Sequence, residues 1–481
     1  MKINLTWLIY FPILFFFLPG FSFYMPVLKG IYNFYYISLY ISIITIFIFD
    51  RKNLINNFLS ICKNTPLIYF MIFLLFIVLN SLILSLLGIT SITQTIRSFI
   101  MQIILGIMPT IIYFMYIIKR HLGLEKFIKI FLLLFWLNLV LSFIAYIGRW
   151  FDITFINGFF DFFNNCRLLD LKYSGTAEQT AETYFIKKRL CGLYPEPGSL
   201  GQMMFLFFPL VYTFSQTKTK LFKNIFVDKI LKRTLIPFTW LTLLLTQSAM
   251  SIVYAVIITI IYYFKNILLL LKKYYFIIIP TTLFTITLII SIDFSDTFIS
   301  RIINVITNIH SFEEFILIEP SLATRVASYV NEFQIFLHYP ITGVGIGNVK
   351  NYMYQQYLNS PVSLTPEIIT RTKFAIEMGN PPMFNPSFIY LILAESGIFA
   401  YLIFIYFYFR TFIYIHKLNS LNNNYSLNAL LSKSLLFILV VFFLFSFYDL
   451  TLKSQYLHFI IALCTVYIYD SKIQLLEEKN D

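Results

Sequence analysis

The chain has 481 residues, 59% of them hydrophobic and 12% charged, with a mean hydropathy of +0.77. That balance excludes an ordinary soluble domain and makes the bilayer the solvent. The formal charge of +13 would suit a nucleic-acid binder, but the basic residues are scattered as flanks of apolar runs rather than gathered on one surface, which argues against nucleic acid as a partner.

In hydrocarbon each backbone amide must be paired within its own segment, so long apolar runs without alternation predict an all-α, polytopic membrane protein rather than a barrel. In chain order the runs fall at about 5–21, 31–49, 66–88, 97–118, 127–148, 198–215, 234–248, 250–264, 276–292, 386–409, 435–448 and 456–470, or about twelve spans. The first run follows Met1 and Lys2, but no small-x-small cleavage site comes after it, so it is expected to be retained. Runs 234–248 and 250–264 are shorter than the ~20 residues of a perpendicular crossing.

Alternate connections carry the cations: Arg51, Lys52 and Lys63; Lys119, Arg120, Lys126 and Lys129; Lys218 to Arg233; Lys265, Lys272 and Lys273; Arg410, Lys417 and Lys433. The positive-inside rule makes these connections cytoplasmic, with both termini on the same side. The resulting organisation is an amino-terminal five-helix membrane region (1–148), a first external loop (149–196), central membrane helices (197–292), a large external loop (293–385), and carboxy-terminal membrane helices with a short cytoplasmic tail (386–481). Cys62 reads as cytoplasmic and Cys464 as intramembrane. Cys166 and Cys191 share the first external loop, where a disulfide and two unpaired small residues are both compatible with the sequence.

The sequence holds no P-loop, dinucleotide fingerprint, H-E-x-x-H or G-x-S-x-G motif, and no cysteine spacing typical of zinc. The spans are nearly free of ionisable groups, which removes the usual mark of ion-coupled transport. Polar chemistry instead collects in three stretches at the outer side.

The first runs from Arg189 to Ser199 (RLCGLYPEPGS) and sets a cation seven residues before Glu196 at the opening of a helix. Amides of Gly198, Ser199 and Leu200 at that opening suit an anion; an ordinary helix entry, with Glu196 at the positive dipole end, explains the same residues. The second, Leu322 to Tyr339, reads as an amphipathic helix outside the membrane. Val326, Val330, Phe333 and Leu337 form its apolar stripe, and Arg325, Ser328 and Glu332 its other face. An ion pair between Arg325 and Glu332 fits this spacing. The helix stops at Pro340, with His338 as a helix-end residue or a base, and Gly343-Val344-Gly345-Ile346-Gly347-Asn348 follows as a loop built for close approach. The third stretch, Asn380 to Gly397, feeds a span through Asn385 as N-cap and Pro386 at the first helical position. Glu395 lies about 15 Å further along that helix and needs a cation or a wetted cavity at such depth. Thr246-Gln247-Ser248 adds polar atoms on the same side.

These stretches, in this order and on this topology, resemble the bacterial O-antigen polymerase and O-antigen ligase superfamily. The resemblance rests on R-x-x-G-x-x-x-E-P (Arg189 to Pro197), on Thr246 and Ser248, on Arg325 with Gly343 to Asn348, and on Glu395-x-Gly397, and covers about residues 189–400. It implies a membrane-embedded, metal-independent, inverting glycosyltransferase of the inner membrane, needing no cofactor. The substrate would be an undecaprenyl-pyrophosphate-linked oligosaccharide met at the periplasmic face, with a chain-length regulator and a flippase as further partners. Arg189 and Arg325 would hold the pyrophosphate, since a guanidinium fork matches phosphate oxygens. Arg301, His338, Asn348, Asn385 and Glu395 would bind substrate. The ligases carry a His at the head of the third-stretch helix as general base. Asn385 stands there instead, which favours polymerase over ligase and leaves Glu196 as first choice of base and His338 as second. A flippase for the same lipid-linked substrate is the non-enzymatic alternative; the absence of an internal repeat and the one dominant loop argue against it.

Overall fold

The structure, a computed structural model, describes residues 9–17, 34–160, 190, 197–217, 220, 222–246, 248, 251, 253–263, 320–353, 387–421, 427–447 and 455–480. Among these residues the fold is all-α. Five helices are long and apolar enough to cross a membrane: Leu67–Leu86, Ile92–Trp150, Phe388–Leu421, Asn428–Ser446 and Gln455–Glu477. They define a multi-pass membrane protein.

We name α1 (Phe11–Phe17), α2 (Phe34–Asn64), α3 (Leu67–Leu86), α4 (Ile92–Ser98), α5 (Met108–Tyr116), α6 (Gly123–Trp150), α7 (Pro197–Ser215), α8 (Ile225–Leu245), α9 (Val253–Tyr263), α10 (Pro320–His338), α11 (Phe388–Leu421), α12 (Leu427–Ser446) and α13 (Gln455–Asn480). Several expected boundaries shift. α2 breaks at Asp50 (φ −141°, ψ 33°), one residue past the expected end at 49, and a second helical stretch beyond the kink carries Arg51, Lys52 and Lys63. Asp50 accepts hydrogen bonds from Asn53 and from Tyr116. α8 begins about nine residues before the expected 234, where the Asn224 side chain caps the Phe226 amide at 2.9 Å. Between α4 and α6 the chain stays helical through two π-helical stretches, Phe99–Ile107 and Ile117–Leu122, and turns only at Gly123, whose φ of 70° suits a residue without a side chain. The expected span at 276–292 lies outside the described residues.

A large apolar core joins most of these helices, with aromatic rings at its centre, while Ala327 and Ile335 of α10 pack in a smaller cluster with Val344, Val349, Met353, Leu391 and Ala394. Phe16, Phe114, Phe127, Phe131 and Phe207 all contact Phe459 of α13. α7 packs against α12, and α11 against α3 and α12. The bundle has two chemically distinct ends. At one end Lys119 pairs with Asp470, Lys472 donates to the Asn64 carbonyl at 2.7 Å, and Asn428 donates to Gln474 at 3.0 Å. An open cavity of about 490 Å³ there is lined by Glu125, Lys126, Thr217, Asn428 and Asp470. At the other end lie the α3–α4 hairpin, the starts of α7 and α11 and the end of α12. Ser387 before α11 donates to the Ser446 carbonyl at 3.0 Å, and Phe205 of α7 lies 6.3 Å from Phe445 of α12.

Candidate functional site

The second end holds a backbone construction whose origin lies in two sequence breaks. Pro340 has no amide and ends α10. Gly397, with φ 73° and ψ −174°, interrupts α11 after its first turns. A regular helix would bond the Ile398 amide to the Ala394 carbonyl. Here the Ile398 amide donates to the Pro340 carbonyl at 2.9 Å, while Ala394 accepts from the Val344 amide at 2.9 Å and the Glu395 carbonyl accepts from Gly345 at 2.7 Å. The interrupted helix and the interrupted loop thus exchange the bonds each has lost. The exchange requires bare backbone on both sides: a β-carbon on Gly343 would run into the Glu395–Ser396 peptide, and one on Gly397 into the Ile341 carbonyl.

The amides of Gly343 and of Ile346 to Asn348 are also satisfied. Gly343 donates to the Tyr339 carbonyl at 2.9 Å, Ile346 to the Ser81 hydroxyl at 2.8 Å, Gly347 to the Glu395 carboxylate at 2.7 Å, and Asn348 to the Gly345 carbonyl at 3.2 Å. The floor beneath the loop is polar. Asn80 donates to the Thr342 carbonyl at 2.6 Å, Gln94 to the Gly347 carbonyl at 3.2 Å, and Asn348 to Thr95 at 3.2 Å; Ser85 bonds Thr90 and Thr95 at 2.9 Å each. Sequence reasoning missed this contribution of the α3–α4 hairpin. Its signal was present as Asn80, Ser81 and Ser85, three polar residues on one side of an otherwise apolar run.

A second carboxylate, Glu332 of α10, is fully buried beside the start of α11 and accepts from the Ser387 amide at 3.3 Å, rather than forming the ion pair that Arg325 seven residues earlier made available. Burial holds its carboxyl well above the usual carboxylate range; the Ser387 amide pulls the other way, and the nearby charge of Glu395 adds to the rise. Among the described residues, Glu332 Oε1, Asn331 Nδ2, Asn348 Oδ1 and Ser396 Oγ are buried polar atoms without a hydrogen-bond partner. Such atoms are where a water or a ligand hydroxyl gains most by docking.

The sequence-derived site residues fall into two groups. Asn348 and Glu395 belong to this construction, buried around the loop, and Arg325 is half-buried on α10. His338 is the exposed last residue of α10, its Nδ1 2.8 Å from the Gln334 carbonyl, as a helix-end residue would be. Arg189, Glu196, Arg301 and Asn385 lie outside the described residues, as do Cys166 and Cys191. Cys62 and Cys464 are buried free thiols. The chain around the first stretch is tied to the end of α8: the Leu190 amide donates to the Leu245 carbonyl at 3.0 Å, Gly198 faces Ser248, and Thr246 caps its own helix end through the Leu243 carbonyl at 2.8 Å. Among the described residues no group of three or more His, Cys, Asp or Glu could hold a metal ion.

α10 has the two faces expected of it, but they are turned. Ser328, Asn331 and Glu332 are buried against α11, whereas Val330, Phe333 and Leu337 of the apolar stripe are 44%, 42% and 58% exposed. The described part of segment 293–385 therefore forms a wall of the site, packed into the bundle, rather than a cover standing over it.

Compared with protein-family models and with curated proteins, the chain matches none.

Proposed function

We propose that this protein is a membrane-embedded inverting glycosyltransferase of about twelve spans. It polymerises undecaprenyl-pyrophosphate-linked oligosaccharide repeat units into O-antigen, or a related surface polysaccharide, at the periplasmic face of the bacterial inner membrane. The observation that carries this reading is the gathering of sequence-distant polar stretches at the end of the bundle away from the Lys119–Asp470 end: Leu190 and Thr246 near the α7 start, Glu332 beside the α11 start, and Asn348 and Glu395 around the glycine loop. In this reading Arg189 and Arg325 hold the pyrophosphate and stabilise it as it departs from the sugar carbon. An acceptor hydroxyl attacks that carbon, and a carboxylate takes its proton, with Glu196 as the first choice. The basic end faces the cytoplasm.

One observation favours a second reading. A helix broken at Gly397 beside a non-helical loop is also the way transporters build substrate sites, which would make the protein a flippase for the same lipid-linked substrate. The lipopolysaccharide banding pattern of a deletion strain separates the two. Loss of a polymerase leaves core capped with a single repeat unit, and loss of a flippase leaves bare core. In complemented cells, Arg189→Lys and Arg325→Lys each shorten the ladder strongly while the protein still inserts, because lysine keeps the charge and loses the fork. Full ladders from both variants would remove the arginines from the site.

A further inference from the structure

The geometry points to a re-entrant membrane element: the chain enters the bilayer from the glycine-loop end at about residue 332 of α10 and descends to the loop at 340–348, and lipid acyl chains cover Phe333, Leu337 and Ile341 of the exposed stripe. This inference is independent of the catalytic reading.

Depth is set by α11. Its mainly apolar stretch from Phe388 to Phe409, ending at Arg410 and interrupted at Gly397, is at most about 33 Å long at 1.5 Å per residue, close to the ~30 Å hydrocarbon core. Phe388 then marks one boundary. Glu332, bonded to Ser387, lies at that boundary. The bonds from the Pro340–Gly345 segment reach Ala394, Glu395 and Ile398, about 9 to 15 Å deeper along the helix. The loop therefore stands at the depth of mid-span residues.

Two independent features fit that depth. Non-helical backbone is tolerated in hydrocarbon only where protein satisfies its polar groups. Every amide from Gly343 to Asn348 has an acceptor, drawn from α3, α11 or the loop itself. The polarity of α10 is also reversed relative to a helix lying on a water-facing surface. Its Ser328, Asn331 and Glu332 are turned inward, while Phe333, Leu337 and then Ile341 (61% exposed) point away from the protein, with Gln334 and His338 exposed beside them. In water this arrangement would leave a run of large apolar side chains wet and confine Glu332 for no gain. Against acyl chains it is the arrangement of a lipid-facing helix, like α3, whose Leu75, Leu79 and Ile83 are exposed in the same way.

Photo-crosslinking in native membranes tests the occupant. A benzophenone amino acid is placed singly as Phe333→p-benzoylphenylalanine or Leu337→p-benzoylphenylalanine, with Leu75 as the lipid-facing control and Lys126 at the basic end as the water-facing one. Irradiation is expected to give lipid-mass adducts at both positions with the yield of the Leu75 control. The proposal is overturned by a crosslinked dimer, which would make the stripe a contact between copies. Adducts to residues 264–319 or 354–386 of the same chain overturn it too, as do lipid yields no higher than at Lys126. A second measurement does not depend on the probe. Leu337→Asp loses most of the monodisperse protein recovered on extraction, and full recovery would place that position in water.

Discussion

The two ends of the bundle satisfy their polar groups in opposite ways. At the lysine-rich end, charged side chains meet one another at the rim: Lys119 with Asp470, each about a quarter exposed, and Lys129 with Glu125. At the glycine-loop end, backbone amides meet carbonyls, one hydroxyl and two carboxylates, at a loop whose glycines leave no room for a longer side chain. Partners at a solvated rim can be exchanged for water, so each pair there is worth little. A buried amide whose acceptor is removed keeps the full penalty of desolvation. The ends should therefore respond very differently to mutation.

The largest effect belongs to Gly397→Val, which adds a branched side chain at φ 73° against the Ile341 carbonyl. A loss of about 3 kcal/mol or more is expected, seen as loss of the monodisperse peak after detergent extraction. A well-folded variant would mean that loop and helix do not interlock. Next comes Glu395→Ala, which strips the acceptor from the half-buried Gly347 amide and should cost about 1–3 kcal/mol in thermal stability. Glu332→Gln tests the other carboxylate through pH. Its folded carboxyl is raised, so the folded state holds a proton that the unfolded state releases. That stability is fully present below the unfolded value of about 4.3 and is lost as pH rises toward the raised folded value. The glutamine keeps an acceptor for Ser387 and cannot titrate. Melting temperatures followed upward from about pH 5 should fall for the parent and stay flatter for the variant; parallel curves would refute the buried-carboxyl account. The smallest effect is Lys119→Ala, below about 1 kcal/mol. A drop as large as that of Glu395→Ala would erase the contrast between the ends.

Much of this was legible beforehand for a simple reason. A run such as Leu67–Leu86 has one stable solution in lipid, so its helix follows from composition alone, and Pro340 and the glycines 343, 345 and 347 announced a tight loop. The destination of that loop was not legible. Nothing local to Gly345 indicates that its amide will meet Glu395, or that Ile346 will meet Ser81, because these pairings are set by packing across 48 to 265 positions of chain. The facing of α10 failed for a related reason. Its periodicity gave two faces correctly, but periodicity cannot say which solvent each face meets. The first helix of α2 ends where expected, at the kink of Asp50; that the chain resumes a helix through Arg51 and Lys52 was hidden, because flanking cations mark a membrane boundary without forbidding a further helix.

The exchange of bonds between loop and broken helix also dictates an order of assembly. Ser81 and Thr95 leave the ribosome first, the loop amides follow some 250 positions later, and the carbonyls of Ala394 and Glu395 come last, 48 residues beyond Gly347. Until α11 has been inserted, the amides of Val344, Gly345 and Gly347 lack their acceptors and must stay hydrated. The loop can therefore settle at its final depth only as a late step, after the helix that receives it has entered the bilayer.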